Sequence, residues 1–210
     1  GRNMSVNICT NGLLIEKYHE QICSAKATCV TVSLDGVSAD SHDTIRGVPG
    51  SYCQIEDGIR RLLSHPRSSR PIVRVRMTIS NQNVNEIGAF FRKWDGVVDD
   101  VLFQPVHHCN DAYYTGMDES SLHLDPELIA EQIKATPLAK DGYLTRLIGS
   151  LKTGGSFPQQ QCFAAVLMAR IDPWGNVYPC LEQHVRVGSI RETDFRTIWN
   201  SERVRKERRH

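Results

Sequence analysis

The sequence predicts an α/β fold: an incomplete parallel (β/α) barrel or sheet, followed by a small α+β module. Strand-like and helix-like segments alternate in strict order up to about residue 106, which is typical of parallel βαβ units. Each strand-like segment also divides into an apolar and a polar face. The pattern changes near residue 117 and again at Cys162, so we expect three parts: a partial barrel over 1–116, a helical bridge over 117–161 and a terminal module over 162–210.

Composition narrows the class of protein. Of 210 residues, 40% are hydrophobic and 23% are charged, and 25 Lys+Arg balance 24 Asp+Glu to a net charge of +1. These values exclude disordered and fibrous classes and argue against a dedicated nucleic-acid binder, although the tail from Arg203 to His210 is basic. No apolar run approaches the roughly 20 residues that cross a bilayer, and the start lacks a signal-peptide pattern. We therefore expect a cytoplasmic protein without membrane partners.

The predicted strands carry the functional signal. They are short and rich in β-branched residues, and they cover Val6 to Cys9, Cys29 to Leu34, Ile72 to Ile79 and Val101 to Val106. Alternate residues are polar in each strand, whereas strands covered on both faces are nearly all apolar. The polar face either contacts water or lines a cavity for a polar ligand, and four such strands in a row give the enclosed cavity at least equal weight.

Helices are predicted between the strands and after them. The first three cover Leu14 to Cys23, Tyr52 to Leu63 and Val84 to Trp94. In the bridge, Asp125-Pro126 begins one helix and a second covers Asp141 to Leu151. The terminal module is predicted as a strand from Ala164 to Ile171, a turn at Asp172-Pro173-Trp174-Gly175-Asn176, a strand from Val177 to Cys180, and helices over Asp194 to Trp199 and Ser201 to Arg209.

Several motifs lie at the strand ends and in the terminal module. The first group is Thr10-Asn11-Gly12, Ser33-Leu34-Asp35-Gly36, His42-Asp43, Arg46-Gly47 and Gly50-Ser51-Tyr52. The second is Cys162, the run from Ile171 to Cys180, Val187-Gly188-Ser189-Ile190 and the run from Phe195 to Asn200. Together they resemble the radical S-adenosylmethionine (SAM) enzymes that carry a C-terminal SPASM or twitch extension. The resemblance covers nearly the whole chain except about 112–161.

The resemblance implies a barrel that holds SAM, iron–sulfur clusters of the [4Fe-4S] type, and hydrogen abstraction from a substrate, which in this branch is often a peptide or protein. One departure stands out, because the sequence has no C-x-x-x-C-x-x-C motif for the catalytic cluster. We therefore expect an internal piece of a longer enzyme that is inactive by itself. Missing barrel strands or another chain should then cover the sheet edge next to Val6 to Cys9.

By resemblance, SAM-binding residues lie at the carboxyl ends of the strands, where parallel α/β folds place ligands. Ser33 and Asp35 would contact the ribose or methionine part, although Asp35 could instead turn the chain and cap the next helix. Arg46 suits the methionine carboxylate, or it could simply pair with Asp43. Asn11 either lines the lumen or closes a turn. The two later strands contribute candidates for adenine contacts: Thr78 and Gln104, with Arg76 on the same face.

Cys162 and Cys180 are the best metal candidates, because a hairpin between them could bring their thiols together. Two thiolates are half of a usual iron–sulfur or zinc site, and a disulfide is disfavoured in a reducing compartment. His107-His108-Cys109 is a weaker candidate, since adjacent residues of an extended chain point apart. The remaining cysteines are expected to be small packing residues: Cys9, Cys23, Cys29, Cys53 and Cys109.

Three hypotheses follow. The first is part of a radical SAM oxidoreductase or maturase, with SAM and an unknown substrate as partners. The second is a ligand-binding or scaffold protein on the same fold, without redox chemistry. The third is a zinc-stabilised interaction domain that uses Cys162, Cys180 and a histidine such as His184.

Overall fold

The computed structural model describes residues 4–106, 124–154, 164–181 and 184–208. They fall into two units. Of the described residues, the first unit contains 4–106 and 124–154, and the second contains 164–181 and 184–208. The described part of the predicted helical bridge therefore belongs to the same unit as the strands that precede it.

The first unit is built on a four-stranded sheet. Its strands are β1 (Asn7–Thr10), β2 (Cys29–Ser33), β3 (Ile72–Ile79) and β4 (Asp100–Pro105). They are parallel and lie side by side in chain order. This confirms the predicted α/β class, and the described strands form an open sheet with β1 and β4 at its edges.

Four helices connect these strands: α1 (Ile15–Ser24), α2 (Ala39–Arg46), α3 (Ser51–Leu63) and α4 (Ile87–Trp94). A 3₁₀ turn over Val84–Glu86 precedes α4 and occupies the first part of the predicted helix. Helix α2 was not among the predicted elements. It begins with a capping box between Ser38 and Ser41, and it ends where Gly47 adopts a left-handed conformation with φ of 66°.

The strands divide their residues between two faces. Val30, Val32, Val73, Val75 and Met77 are fully buried in one core with apolar side chains of the connecting helices. The strand register places most of the polar residues opposite one another on the other face. The rows across this face are Cys9, Thr31, Arg74 and Asp100, then Ser33 and Arg76 with the apolar Leu102, then Thr78 and Gln104.

Helices α5 (Pro126–Ile133) and α6 (Gly142–Thr153) complete the described part of the first unit, with a 3₁₀ turn over Pro137–Lys140 between them. As predicted, Asp125 caps α5. Asp141, predicted as the first residue of the second helix, precedes α6 and caps it by accepting hydrogen bonds from two backbone amides. Ile129 and Leu144 are buried in the core of the sheet. Within the described ranges, no helix combines the length and apolar character that crossing a bilayer requires.

The second unit contains a small antiparallel sheet and two short helices. The strands are β5 (Arg170–Ile171), β6 (Asn176–Tyr178) and β7 (Gly188–Ser189), and the helices are α7 (Phe195–Trp199) and α8 (Glu202–Glu207). Its core consists of Ala165, Val177, Val187, Ile198 and Val204. The strand predicted from Ala164 is shorter than expected, because Ala165 adopts a positive φ of 59° and the chain turns there before β5 begins.

Candidate functional site

The carboxyl ends of β2 and β3 are joined through Asp35. This residue is 4% exposed, and its Oδ1 accepts a hydrogen bond from the backbone N–H of Thr78 at 2.8 Å. Its Oδ2 forms an ion pair with Arg46 at 2.5 Å. Ser38 rather than Asp35 caps α2, so the helix-capping alternative for Asp35 is wrong. Both carboxylate oxygens of Asp35 bind the protein itself, and one of them orients a guanidinium group.

Arg46 reaches Asp35 from the last turn of α2. Its side chain is 37% exposed, whereas that of Asp35 is 5% exposed, so the guanidinium group lies between the buried carboxylate and solvent. The alternative pairing of Arg46 with Asp43 is also wrong. The carboxylate of Asp43 instead accepts hydrogen bonds from Gly50 N, Ser51 Oγ and Tyr52 N at the start of α3. Burial acts to raise the pKa of Asp43, but these hydrogen bonds outweigh it and lower that pKa below its usual value.

Two residues to which the sequence assigned no role at the site hold Asp35 in place. His42 is 1% exposed, and its Nδ1 accepts a hydrogen bond from the backbone N–H of Asp35 at 3.0 Å. Asn83 is fully buried, and its amide nitrogen donates to the backbone oxygens of Asp35 and Thr78, each at 2.9 Å. The sequence offered one signal for both residues, since each is a polar residue in the segment that follows a predicted strand. That they bind the backbone of Asp35 is visible only in the structure, where the segments after β2 and β3 are in contact.

The acceptor role of His42 requires a neutral imidazole with its proton on Nε2. Burial lowers the pKa of His42, and this outweighs the nearby carboxylates of Asp35 and Asp43, which act to raise it. The preceding loop supports the geometry, because a Cβ atom on Gly36 would collide with the backbone nitrogen of His42. The loop after β2 therefore folds tightly onto the start of α2 and fixes the position of Asp35.

Three predicted site residues lie on the polar face of the sheet. Ser33, Thr78 and Gln104 are half-buried, and Thr78 lies opposite Gln104 in the register. In the part of the chain that the structure describes, their side-chain groups have no hydrogen-bond partner, and the same holds for the guanidinium group of Arg76. The polar face thus ends in hydroxyl, amide and guanidinium groups that can bind a polar molecule.

Asn11 follows β1 and is exposed. Its Oδ1 accepts a hydrogen bond from the backbone N–H of Leu13 at 3.3 Å, so it closes the turn that contains Gly12, as one of the two alternatives proposed. Gly12 is required there, because its φ is 87° and an added Cβ would lie 2.9 Å from side-chain atoms of Ile55 and Val32. Among the described contacts, none joins Asn11 to the Asp35 network.

The cysteines of the first unit differ from one another. Cys29 is buried, as a packing residue should be, whereas Cys9 and Cys53 are exposed, so the packing role expected for these two is wrong. Cys9 lies on the polar face of an edge strand, which explains its exposure. Cys23 is half-buried, and burial raises its pKa. Cys109 and the neighbouring His107 and His108 lie outside the described residues.

In the second unit, Cys180 is half-buried just after β6, and Cys162 lies outside the described residues. The backbone N–H of Ala165 donates to the carbonyl of Pro179 at 2.7 Å, which fixes the chain three residues after Cys162 to the residue before Cys180. The described ranges contain no group of three or more His, Cys, Asp or Glu side chains that could hold a metal ion. Within those ranges, Cys180 is the only cysteine of the second unit.

The turn between β5 and β6 is held by Asp172. Its carboxylate accepts from the backbone amides of Trp174 and Asn176, from the side-chain amide of Asn176 and from the hydroxyl of Tyr178, at 2.9 to 3.2 Å. Burial acts to raise the pKa of Asp172, but these hydrogen bonds outweigh it and lower the pKa. The predicted Asp-Pro-Trp-Gly-Asn turn thus rests on one carboxylate.

Comparisons with known proteins concern both units. Residues 162–210 match the SPASM family, which is described as an iron-sulfur cluster-binding domain. The AdoMet-dependent heme synthase of Methanosarcina barkeri is 28% identical over 224 residues, and the alignment covers 96% of this chain and 62% of the relative. The chain thus spans less than two thirds of the length of that relative. The two matches confirm the resemblance that the motifs predicted.

Proposed function

We propose that this chain, as a radical SAM-type protein with a SPASM extension, contributes a SAM-binding strand edge in its first unit and an iron–sulfur-binding module in its second. The observation that carries the proposal is the polar face of the sheet. Its rows of residues end in donor groups that have no partner among the described residues, beside an arginine that a buried carboxylate orients. A parallel sheet offers its ligand site at this edge.

The donor groups suit the parts of SAM. Arg46 would bind the methionine carboxylate, because a guanidinium group offers a fork of N–H donors and Asp35 occupies only one side of it. Ser33 and Thr78 carry hydroxyl groups that suit the ribose, and Gln104 can both donate to and accept from adenine. The side-chain N–H groups of Asn11 could also reach the ligand, since only its oxygen closes the turn. Asp35 acts as a positioning residue for Arg46.

The second unit would hold iron through Cys162 and Cys180. The hydrogen bond from Ala165 to Pro179 favours closeness of the two chain segments, and the SPASM match supports iron–sulfur binding in this region. Such clusters usually take four ligands, so further thiolates must complete the site. A zinc site with the same cysteines is the competing assignment, and metal analysis separates the two.

When bound, SAM and a reduced [4Fe-4S] cluster supply the electron transfer and the radical that abstracts hydrogen. These 210 residues contain no C-x-x-x-C-x-x-C motif, so we propose that they do not cleave SAM by themselves. The whole protein would act with ligands from outside this sequence. Its substrate would be either a precursor of heme, the product in the relative's name, or a peptide, as expected for the branch.

Calorimetric titration with SAM tests the first half of the proposal. We expect measurable binding by the full chain, and Arg46→Gln should weaken it about tenfold or more, because a charge-assisted hydrogen bond is lost. Arg74→Gln is the matched control, since Arg74 lies on the same sheet but pairs with Asp100 at 3.1 Å. Equal affinity of the wild type and Arg46→Gln would refute the site.

Anaerobic reconstitution with iron and sulfide tests the second half. We expect bound iron and visible absorption that Cys180→Ser reduces, whereas Cys53→Ser, in the first unit, should leave both unchanged. Zinc in place of iron would favour the interaction-domain hypothesis. Formation of 5′-deoxyadenosine above background by the reconstituted chain would contradict the proposed inactivity, and SAM binding without bound iron would favour a ligand-binding protein.

A further inference from the structure

A cleft of about 350 Å³ lies where β3 and β4 meet the segment that leads into α6. Arg76 and Gln104 contribute polar groups to it, and Leu102, Leu138 and Leu144 contribute apolar surface. Leu138 and Leu144 are buried members of the main core, so this side of the cleft is a fixed wall. A volume of this size is at the small end of the range for ligand sites, enough for one arm of a larger molecule.

Arg76 differs from the neighbouring arginines of the sheet because it has no partner among the residues that the structure describes. Arg70 pairs with Asp99, Arg74 pairs with Asp100, and Arg46 pairs with Asp35. Arg76 lies two residues after Arg74 on the same strand face and is half-buried. It has no ion pair or hydrogen bond within the described part of the chain. A guanidinium group that is partly removed from water interacts more strongly with an anion than a fully hydrated one does, so Arg76 favours an anionic ligand.

We propose that Arg76 anchors a carboxylate of the substrate, on a molecule whose body is largely apolar. This deepens the proposed function and rests on it, because the cleft adjoins the SAM-binding edge: Ser33 lies opposite Arg76, and Gln104 belongs to both sites. One guanidinium group matches one carboxylate in charge and in fork geometry. The leucine side chains favour an apolar body over a strongly hydrated one.

The second charged side chain of the cleft, Asp141, favours a ligand with a single negative charge. Asp141 lines the same cleft, and its Oδ1 accepts from the backbone amides of Tyr143 and Leu144, each at 2.8 Å. It is therefore held at the start of α6 and forms no ion pair with Arg76 within the described residues. Its charge would repel a phosphate or another multiply charged anion more strongly than a carboxylate. The carboxylate could come from the substrate or from SAM itself, so the experiment separates these sources.

The probe is pyrenebutyrate, a fluorescent apolar monocarboxylate, titrated against the full chain, with its methyl ester as the uncharged control. We expect the acid to bind and Arg76→Gln to weaken it about 10- to 100-fold, as the loss of a charge-assisted hydrogen bond predicts. Arg76→Lys keeps the charge without the fork and should give an intermediate affinity. Arg74→Gln should change the affinity less than about twofold. The ester should bind the wild type no better than the acid binds Arg76→Gln.

Equal binding of acid and ester, or unchanged binding by Arg76→Gln, would overturn the proposal. In a separate titration with SAM, a loss of affinity in Arg76→Gln as large as that in Arg46→Gln would do so as well, because the methionine carboxylate would then occupy Arg76. Urea midpoints check folding, and if Arg76→Gln does not fold, Arg76→Lys and the ester carry the test. Failure of the Arg76 proposal can be distinguished from failure of the proposed SAM site. Loss of SAM binding through Arg46→Gln concerns the proposed function, whereas the probe titration contains no SAM.

Discussion

The pair of Asp35 and Arg46 allows a quantitative test of the site through a double-mutant cycle. The variants are Asp35→Asn, Arg46→Gln and the combination of the two. Asp35→Asn keeps an oxygen that can accept from Thr78 N but removes the charge that holds Arg46. Arg46→Gln leaves a carboxylate that is 5% exposed with one hydrogen bond from Thr78 and no counter-charge among the described residues.

The structure sets the size of the expected effects. An exposed ion pair contributes about 0.2 to 1 kcal/mol, whereas removing one partner of a fully buried pair costs about 3 to 5 kcal/mol. This pair lies between those limits, because one side chain is 37% and the other 5% exposed. We therefore expect each single variant to lose about 2 kcal/mol of unfolding free energy. The two effects should overlap, with an interaction energy of about 1.5 kcal/mol.

Urea denaturation followed by far-UV circular dichroism measures the four free energies. The pair of Arg74 and Asp100 is the control, since its side chains are 33% and 44% exposed and its interaction energy should stay below about 0.5 kcal/mol. Additive effects of Asp35→Asn and Arg46→Gln would refute the argument that Asp35 orients Arg46. An interaction energy equal to that of the control pair would refute it as well.

Three further predictions concern other parts of the fold. Burial lowers the pKa of His42 below its ordinary 6.5, so the unfolded chain binds a proton that the folded chain does not. The free energy of unfolding should fall as the pH drops below about 6.5, by at most about 1.4 kcal/mol per pH unit, and urea titrations at several pH values should show a smaller slope for His42→Gln. Gly12→Ala should cost about 2 to 4 kcal/mol, because it adds a steric clash to the strain of a positive φ. Gly50→Ala, with a φ of 79° and nothing within 4 Å, should cost about 1 kcal/mol, and equal urea midpoints for the two variants would contradict this. Asp172→Ala removes the acceptor of four hydrogen bonds, so hydrogen exchange at the Asn176 amide should accelerate about tenfold or more, and unchanged exchange would show that the turn holds without it.

The strands could be predicted closely because their alternation is a local property. The predicted strand from Ile72 to Ile79 matches β3 at both ends. Strands β1 and β4 are displaced by one residue from their predicted ranges, and β2 ends one residue earlier than predicted. Helix α2 could not be found in this way. Its sequence is mostly polar, and His42 is its one fully buried residue, so its apolar periodicity is too weak to detect. The capping box between Ser38 and Ser41 marks its start, but it is a short-range signal that apolar periodicity does not contain.

Residue partners at the site were less predictable than residue positions. Asp43 is three residues from Arg46 and the natural partner by sequence distance, yet Arg46 reaches Asp35, eleven residues away. The choice depends on Asp43 capping α3 instead, which only the path of the chain between the helices determines. Asn83 likewise joins two loops that are 48 residues apart. Sequence patterns locate the strand ends, but they do not say which loop contacts which.

The two-faced strand β3 also limits how this chain can evolve. Odd-numbered residues from Val73 to Ile79 are buried in the core, and the alternate positions carry Arg74, Arg76 and Thr78. Point substitutions at one set need not disturb the other. Insertion or deletion of a single residue within the strand, in contrast, would exchange its two faces. Arginine side chains would then point into the apolar core, and aliphatic side chains would point to the polar face. Among natural variants of this segment, we expect the length to stay fixed while the polar side chains diversify.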